Sequence, residues 1–94
     1  MTVYSIWESR FPAENTEEGI GVTQAIWRDM LSFDGYLAHE VIQDLDQPGH
    51  LFVVSRWASR EAADAAMTYT SHPNAERAEQ LVSEHRRRTL GIAP

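Results

Sequence analysis

Two runs of β-branched and aromatic residues, separated by a short turn, restrict the possible folds of this chain more than any other feature. The first run follows Asp34 and the second ends at Trp57, with Pro48 and Gly49 in the segment between them. Strand-forming runs on either side of a Pro-Gly turn are typical of an antiparallel hairpin. The sequence therefore predicts a hairpin between residues 34 and 57.

The second strand of this hairpin carries apolar side chains on both faces. Because side chains alternate along a strand, Val53 and Trp57 would point to one face while Phe52 and Val54 point to the other. A sheet that is apolar on both faces needs a cover on each of them. The 94 residues of the chain provide only a few helices for this purpose.

Composition places the chain among ordinary globular proteins and excludes several functions. Its length predicts one domain over residues 1–94. The net charge of −6 argues against a nucleic acid partner, because phosphates call for a basic surface. The chain has no cysteine, so disulfides are excluded and a reducing compartment suits it. Its first residues lack the basic segment of a signal peptide, and no run approaches the roughly 20 apolar residues of a membrane span. We therefore expect a cytoplasmic protein that does not contact membranes.

A long amphipathic helix is expected before the hairpin. It runs from about Glu17 to about Ser32, and Asn15 or Thr16 is suitably placed to cap it. One face of this helix is predicted to carry Ile20, Thr23, Trp27, Met30 and Leu31. The first turns also contain Gly19 and Gly21, which either weaken the helix or permit a close backbone approach.

Two further helices are expected after the hairpin. Ser59 is a good N-cap for a run of strong helix formers, and Pro73 ends that run and opens a second helix that reaches about Arg88. The basic residues 86–88 would complement the negative end of that helix. Residues 89–92 fit either a short strand or a tail.

Together with a first strand from Val3 to Arg10, this order predicts an α+β, ferredoxin-like βαββα(β) fold with an antiparallel sheet. A single layer of helices covers one sheet face only. The other face is predicted to expose Tyr4, Ile6, Tyr36, Ile42, Phe52 and Val54. Apolar patches of this kind are rare on monomers, so we expect a homodimer that packs sheet against sheet.

The hairpin and the helix after it resemble the antibiotic biosynthesis monooxygenase (ABM) domain. The similar stretches are residues 35–42, the turn with Asp46 and Pro48, residues 53–62 and the His-Pro break that follows. The resemblance implies a dimeric α+β barrel, in which two ferredoxin-like protomers join through their sheets. Similar domains include cofactor-independent oxygenases, quinol monooxygenases and haem-degrading enzymes.

The chain departs from two of these subgroups. Oxygenases of polyketide tailoring carry an Asn four residues before the strand Trp, and here Val53 occupies that position before Trp57. Haem-degrading members carry an Asn in the first strand and a Trp in the second helix. Residues 3–10 contain no Asn and residues 62–78 contain no Trp, which disfavours haem degradation.

Opposite charges favour a cross-strand pair between Glu40 and Arg56, which we interpret as an interface ion pair. That register sets His39 opposite Trp57 and Val41 opposite Ser55. It also sets Asp46 opposite His50 across the turn, where His50 would be solvated. The face shared by His39, Val41, Val53, Ser55 and Trp57 is the one that, by the family resemblance, turns toward the helices and lines a small-molecule cavity.

His39 is a candidate general base, because the ordinary pKa of histidine suits proton transfer near neutral pH, and Trp57 is a candidate cavity wall. A structural histidine and a core tryptophan are the alternatives. His72 fits either a helix cap or the cavity, and Tyr69 and Trp27 fit either the core or the cavity. The complete set of candidate substrate-binding residues is Trp27, Val41, Val53, Ser55, Tyr69 and His72.

No spacing of His, Asp or Glu residues predicts a metal site. The resemblance to the ABM domain implies a monooxygenase that needs no cofactor and oxidises a small aromatic phenol or quinol. The alternative is a non-catalytic dimeric barrel that binds a small hydrophobic ligand. A third reading is an interaction module whose gap between helices and sheet is filled by Trp27, Trp57 and Met67.

Overall fold

All 94 residues are described by the computed structural model, in which a layer of helices lies on one face of an antiparallel sheet. The strands are β1 (Val3–Arg10), β2 (Tyr36–Gln43), β3 (His50–Trp57) and β4 (Arg87–Gly91), in the spatial order β2-β3-β1-β4. The helices are α1 (Thr16–Met30), α2 (Arg60–Ala65) and α3 (Pro73–Leu81), with 3-10 helices at Ala13–Asn15 and Ala66–Ser71. This order confirms the predicted α+β ferredoxin-like fold.

Local capping explains where the later helices begin. The Ser59 hydroxyl accepts the Ala62 N–H at 3.1 Å, and Nδ1 of His72 accepts the Asn74 N–H at 3.0 Å. Each bond satisfies one of the amides that a helix start leaves without a partner. Asn15 does not cap α1. Its side-chain amide donates to the carbonyl of Leu81 at 3.0 Å and so joins the start of α1 to the end of α3.

The expectation that the last helix reaches Arg88 is wrong. The helix α3 ends at Leu81, because the backbone of Val82 turns extended, with ψ of 152°. The N–H of Ser83 then donates to the carbonyl of Arg10 at 2.8 Å, which brings the chain to the sheet edge. The basic residues 87 and 88 consequently begin β4, which pairs with β1.

The predicted hairpin register is also wrong, by two residues. Val41 lies opposite Val53, and His39 lies opposite Ser55 rather than Trp57. The loop sets this register, since the Asp44 carboxylate accepts the N–H groups of Asp46 and Gln47 at 2.8 and 3.1 Å. The turn therefore begins earlier than expected, and the Asp44 N–H donates to the carbonyl of His50 at 2.9 Å.

In the same register, Glu40 lies opposite Val54, and Ala38 takes the place opposite Arg56. The predicted direct pairing of Glu40 with Arg56 is thus not formed. The two residues still lie on the same sheet face, because a shift of two residues preserves the alternation.

A bulge at the start of β2 moves Tyr36 to the opposite face from the one expected. Tyr36 pairs with Trp57 while Ala38 pairs with Arg56, so Leu37 is an extra residue and is 51% exposed. The Tyr36 ring meets the Trp57 ring edge to face at 5.8 Å, on the helix side of the sheet. Tyr36 therefore contributes to the core rather than to the bare sheet face.

The main core lies between the helices and the strands β1 and β3. It contains Val3, Val53 and Trp57 from the sheet, together with Ile26 and Trp27 from α1. Leu31, which was expected on the inner face of α1, is 58% exposed because the helix ends at Met30. No helix has the length and the apolar composition needed to cross a membrane.

Candidate functional site

A partly open cavity of about 40 Å³ lies between the sheet and the helical layer. Ser5, Trp7 and Ser9 of β1 and Val53 of β3 line its sheet side. The helical side consists of Thr23, Ile26, Trp27, Met30, Ala63, Ala66, Met67, Tyr69, Thr70 and Ala75. Of the 15 residues that line the cavity, 10 are hydrophobic. A mainly hydrophobic lining with a few polar groups is typical of a small-molecule site.

One cation reaches this cavity. Arg86, in the link between α3 and β4, lines the cavity, and the centre of its guanidinium lies 5.2 Å from the centre of the Trp7 ring. Its Nε donates to the Glu79 carboxylate at 2.6 Å, and only 15% of its side chain is exposed. The cation is therefore held in one position by an ion pair and by a cation–π contact.

Tyr69 supplies the second ionisable group. Its ring stacks on the His72 ring with the centres 4.4 Å apart, and its hydroxyl donates to Oδ2 of Asp29 at 2.5 Å. Burial of the phenol, followed by the hydrogen bond to Asp29, raises the pKa of Tyr69 above its ordinary value. The phenol consequently stays protonated at neutral pH and acts as a hydrogen-bond donor.

Three of the candidate residues from the sequence line the cavity: Trp27, Val53 and Tyr69. The others lie outside it. Val41 and Ser55 lie on the inner face of the sheet beyond the cavity, and Ser55 is completely buried. The His72 ring is on the far side of Tyr69 and caps α3.

Trp57 is a core residue with 1% of its surface exposed. Its indole N–H donates to the Ser55 hydroxyl at 3.0 Å, and that hydroxyl donates to the carbonyl of Ser5 at 3.1 Å. Ser5 lines the cavity. Trp57 is thus connected to the cavity wall through Ser55 and Ser5 and does not contact the cavity itself.

His39 occupies the edge strand β2, next to the cavity residue Trp27. The centres of these two rings are 5.5 Å apart, and Nδ1 of His39 shares a hydrogen bond of 2.6 Å with the Tyr36 hydroxyl. Partial burial lowers the pKa of His39 below its ordinary value. His39 is therefore a neutral imidazole near neutral pH that supports Trp27 from outside the cavity.

The expectation that His50 is solvated is wrong. Only 8% of His50 is exposed, and its ring nitrogens bond to Oδ2 of Asp44 at 3.0 Å and to Oε2 of Glu8 at 2.5 Å. The hydrogen bond from the Asp46 N–H, followed by those from His50 and from the Gln47 N–H, lowers the pKa of the Asp44 carboxyl. The cluster fastens the hairpin loop to β1 beside an open groove of about 620 Å³. That groove has 3 hydrophobic residues among 11, too few for a typical small-molecule site.

Sequence reasoning did not identify Arg86, Trp7 or Asp29 as parts of the site. Alternation places Trp7 on the inner face of β1, but nothing in the sequence indicates that β4 begins at Arg87 and so carries Arg86 onto Trp7. No three His, Cys, Asp or Glu side chains come close enough to hold a metal ion.

Comparisons with known proteins agree with this fold. The model of the family described as "Antibiotic biosynthesis monooxygenase" matches residues 2–78. No protein with a curated description matches the sequence.

Several solved structures share the fold at low sequence identity. SnoaB, a cofactor-independent oxygenase from Streptomyces nogalater, is 15% identical with a TM-score of 0.85, over 98% of this chain and 92% of that one. Rv0793 from Mycobacterium tuberculosis is 18% identical with a TM-score of 0.78, over 100% and 95% of the two chains. A conserved protein from Methanosarcina mazei Go1 is 12% identical with a TM-score of 0.81, over 97% and 91%.

Proposed function

Because this chain belongs to the antibiotic biosynthesis monooxygenase family, we propose that it oxidises a small phenol or quinol with molecular oxygen in the cavity between sheet and helices. The observation that carries this proposal is the position of Arg86. Glu79 binds Nε of this largely buried guanidinium, so its remaining N–H groups can donate charge-assisted hydrogen bonds to an aromatic anion in the mainly apolar cavity.

The proposed reaction uses the substrate anion itself to activate oxygen. For 1-naphthol as an example, loss of the phenol proton allows the ring carbon opposite the oxygen to bond to O₂ and form a peroxide. Cleavage of the O–O bond with loss of the ring proton then yields a naphthoquinone and one water molecule. One oxygen atom of O₂ enters the product and the other leaves as water, so the substrate supplies all four electrons. The protein only needs to remove the proton, hold the ring and exclude water.

The cavity accounts for orientation and exclusion of water in this proposal. Its 40 Å³ hold about three water molecules, so an aromatic ring requires side chains at its rim to move. Met67 is the side chain best suited to move, because it lies on the 3-10 helix Ala66–Ser71, is partly exposed and has a flexible thioether chain. Trp27 and Trp7 would then stack on the bound ring.

His39 and Trp57 keep proposed roles, although neither lines the cavity. His39 and Tyr69 are the two candidates for the base. Tyr69 lines the cavity directly, whereas proton transfer to His39 would have to go around the Trp27 ring. Trp57 is proposed to keep the wall at Ser5 in place through Ser55. The variant His39→Ala distinguishes the two candidates, because a large loss of kcat is expected only if His39 is the base.

Turnover of a panel of naphthols and hydroquinones tests the proposal. We expect quinone formation and oxygen consumption in air, with none under nitrogen, after the protein has been treated with a chelator. Arg86→Gln should lower kcat/KM by about 100-fold, because it removes the cation that stabilises the anion. Arg60→Gln is the matched control, since the Arg60 side chain is 77% exposed and far more solvated.

Two results would contradict the proposal. One is the absence of oxygen-dependent turnover across the panel, and the other is equal activity of the Arg86 and Arg60 variants. Tight binding of a naphthol without turnover, unchanged by His39→Ala, would favour the alternative of a barrel that only binds a hydrophobic ligand.

We also propose that two copies pack together through the uncovered sheet face. That face carries Ile42, which is 43% exposed, and the partly exposed Phe52 and Val54. Glu40 and Arg56 lie on the same face and are available for ion pairs across a two-fold axis.

A further inference from the structure

Tyr69 connects the interior of the proposed site to the protein surface. Tyr69 lines the cavity and is 8% exposed, while its hydroxyl donates to Asp29, an exposed residue on α1. A phenol can accept a proton on its oxygen while it gives its own proton away. The ionisable group of Tyr69 is bonded to a solvent-exposed carboxylate. The other cavity residue that bonds to a carboxylate is Arg86, whose partner is Glu79, but a guanidinium does not release its proton.

We propose that Tyr69 and Asp29 form the path by which the substrate's phenol proton leaves the cavity. This inference rests on the proposed function, because it assigns the deprotonation step of that reaction. Tyr69 is assigned as the catalytic residue of the path, since it lines the cavity in which the substrate would bind. Asp29 does not line the cavity and is a positioning residue that acts through Tyr69.

The transfer balances without any further reactant. The substrate O–H bond breaks and its proton moves to the Tyr69 oxygen, while the Tyr69 O–H bond breaks and its proton moves to Oδ2 of Asp29. Tyr69 ends as it began, Asp29 is neutral and the substrate is an anion. Because Asp29 is exposed, it then releases the proton to water and is ready for another cycle.

Charges around the path favour this direction. The negative charge moves from Asp29 to the substrate, in the cavity that Arg86 also lines. Of the other polar groups against Tyr69, His72 stacks on its ring and Asn74 approaches its hydroxyl. His39 has no comparable route for a proton to an exposed carboxylate, since its ring nitrogen bonds to the Tyr36 hydroxyl.

The test compares kcat as a function of pH for wild type, Asp29→Asn, Tyr69→Phe and the control Asp64→Asn, on the naphthol that wild type oxidises best. Asp64 is likewise a helix-surface carboxylate, and it pairs with Arg88 and Arg60. We expect Asp29→Asn and Tyr69→Phe to lower kcat by about 100-fold near neutral pH. The loss should diminish at high pH, where the substrate ionises without help. The Asp64 variant should match wild type.

Chemical rescue separates proton transfer from a structural hydrogen bond. Asp29→Ala opens the exposed position beside the Tyr69 hydroxyl, so added acetate should restore kcat in proportion to its concentration and leave Asp64→Ala unaffected. Asp29→Glu should retain most of the activity. Thermal unfolding of each variant identifies any that fails to fold, and the acetate dependence of the others decides the question.

Each outcome of these experiments has one interpretation. If wild type turns over and the Asp29 variants keep its kcat and pH profile without acetate rescue, the proton path is overturned while the oxygenase proposal stands. If His39→Ala alone shows the 100-fold loss, the base is His39 and the path is again overturned. If wild type shows no oxygen-dependent turnover, the proposed function fails, and the path fails with it.

Discussion

His39 on the edge strand β2 shows how the fold changes the chemistry of one side chain. Its ring lies against Trp27, and its Nδ1 shares a hydrogen bond with the Tyr36 hydroxyl. Burial lowers the pKa of His39 below its ordinary value, because the charged imidazolium is less well solvated there. The unfolded chain therefore binds a proton at a higher pH than the folded chain does.

This difference predicts how stability depends on pH. The free energy of unfolding rises with pH wherever the unfolded state binds more protons than the folded state. The contribution of His39 to stability is therefore lost as the pH falls from about 6.5, the pKa in the unfolded chain, through the lower pKa in the folded chain. Wild type should lose stability more steeply than His39→Gln between about pH 7 and about pH 5. Urea unfolding at several pH values measures the two slopes. Equal slopes for wild type and His39→Gln would contradict the prediction.

At the residue scale, alternation along the strands predicted side-chain faces well and contacts poorly. His39, Val53 and Ser55 do share the inner face of the sheet, as expected. Only one of them lines the cavity, because the cavity lies toward β1, away from the edge strand. That position depends on where α1 and α3 pack, which a single sequence does not state.

At the scale of elements, the two glycines of α1 have opposite surroundings. A Cβ at Gly19 would lie 2.6 Å from the Phe11 ring, whereas a Cβ at Gly21 would meet nothing within 4 Å. The sequence left open whether these glycines weaken the helix or permit a close approach. Each alternative applies to one of them.

Alanine substitutions should consequently have opposite signs. Gly21→Ala should stabilise the protein by about 0.5 to 1 kcal/mol, because it removes a flexible residue from a helix interior. Gly19→Ala should destabilise it by about 1 to 3 kcal/mol, since Phe11, which is 6% exposed, has little room to move. Chemical denaturation of both variants measures the difference, and a stabilised Gly19→Ala would show that the Phe11 contact is looser than the structure indicates.

Element positions that depend on local chemistry were predictable, and those that depend on distant contacts were not. The strand β1 and the caps at Ser59 and His72 follow from patterns within a few residues. The end of α3 and the start of β4 depend on Ser83 bonding to the carbonyl of Arg10, 73 residues away in the chain. The prediction of the hairpin register was wrong for a local reason. The hydrogen bonds of Asp44 within the loop outweigh the ion pair that was expected to set the register.

At the scale of the whole molecule, one sheet face has no cover within the chain. Val54 lies at the centre of that face, opposite Ile6 on one side and Glu40 on the other. A charge placed there would be buried without a partner in a sheet-to-sheet dimer.

The proposed dimer therefore predicts that association of the two copies is sensitive to a charge at position 54. Wild type should sediment at twice the mass of one chain, and Val54→Glu should weaken association by at least about 100-fold. Gln24→Glu, on the exposed side of α1, changes the charge equally and should leave the dimer intact. A monomeric wild type at high concentration, or equal association of the two variants, would contradict the proposed interface.

The family match, the cavity between sheet and helices and the largely buried Arg86 together lead to one central claim, which is oxygen insertion without a cofactor. The most direct test is mass spectrometry of the quinone formed from a naphthol under ¹⁸O₂ by chelator-treated protein. One ¹⁸O atom should enter each product molecule, with the second recovered in water and no label gained from H₂¹⁸O. A product that contains no oxygen from ¹⁸O₂, or that contains both atoms, would contradict the claim.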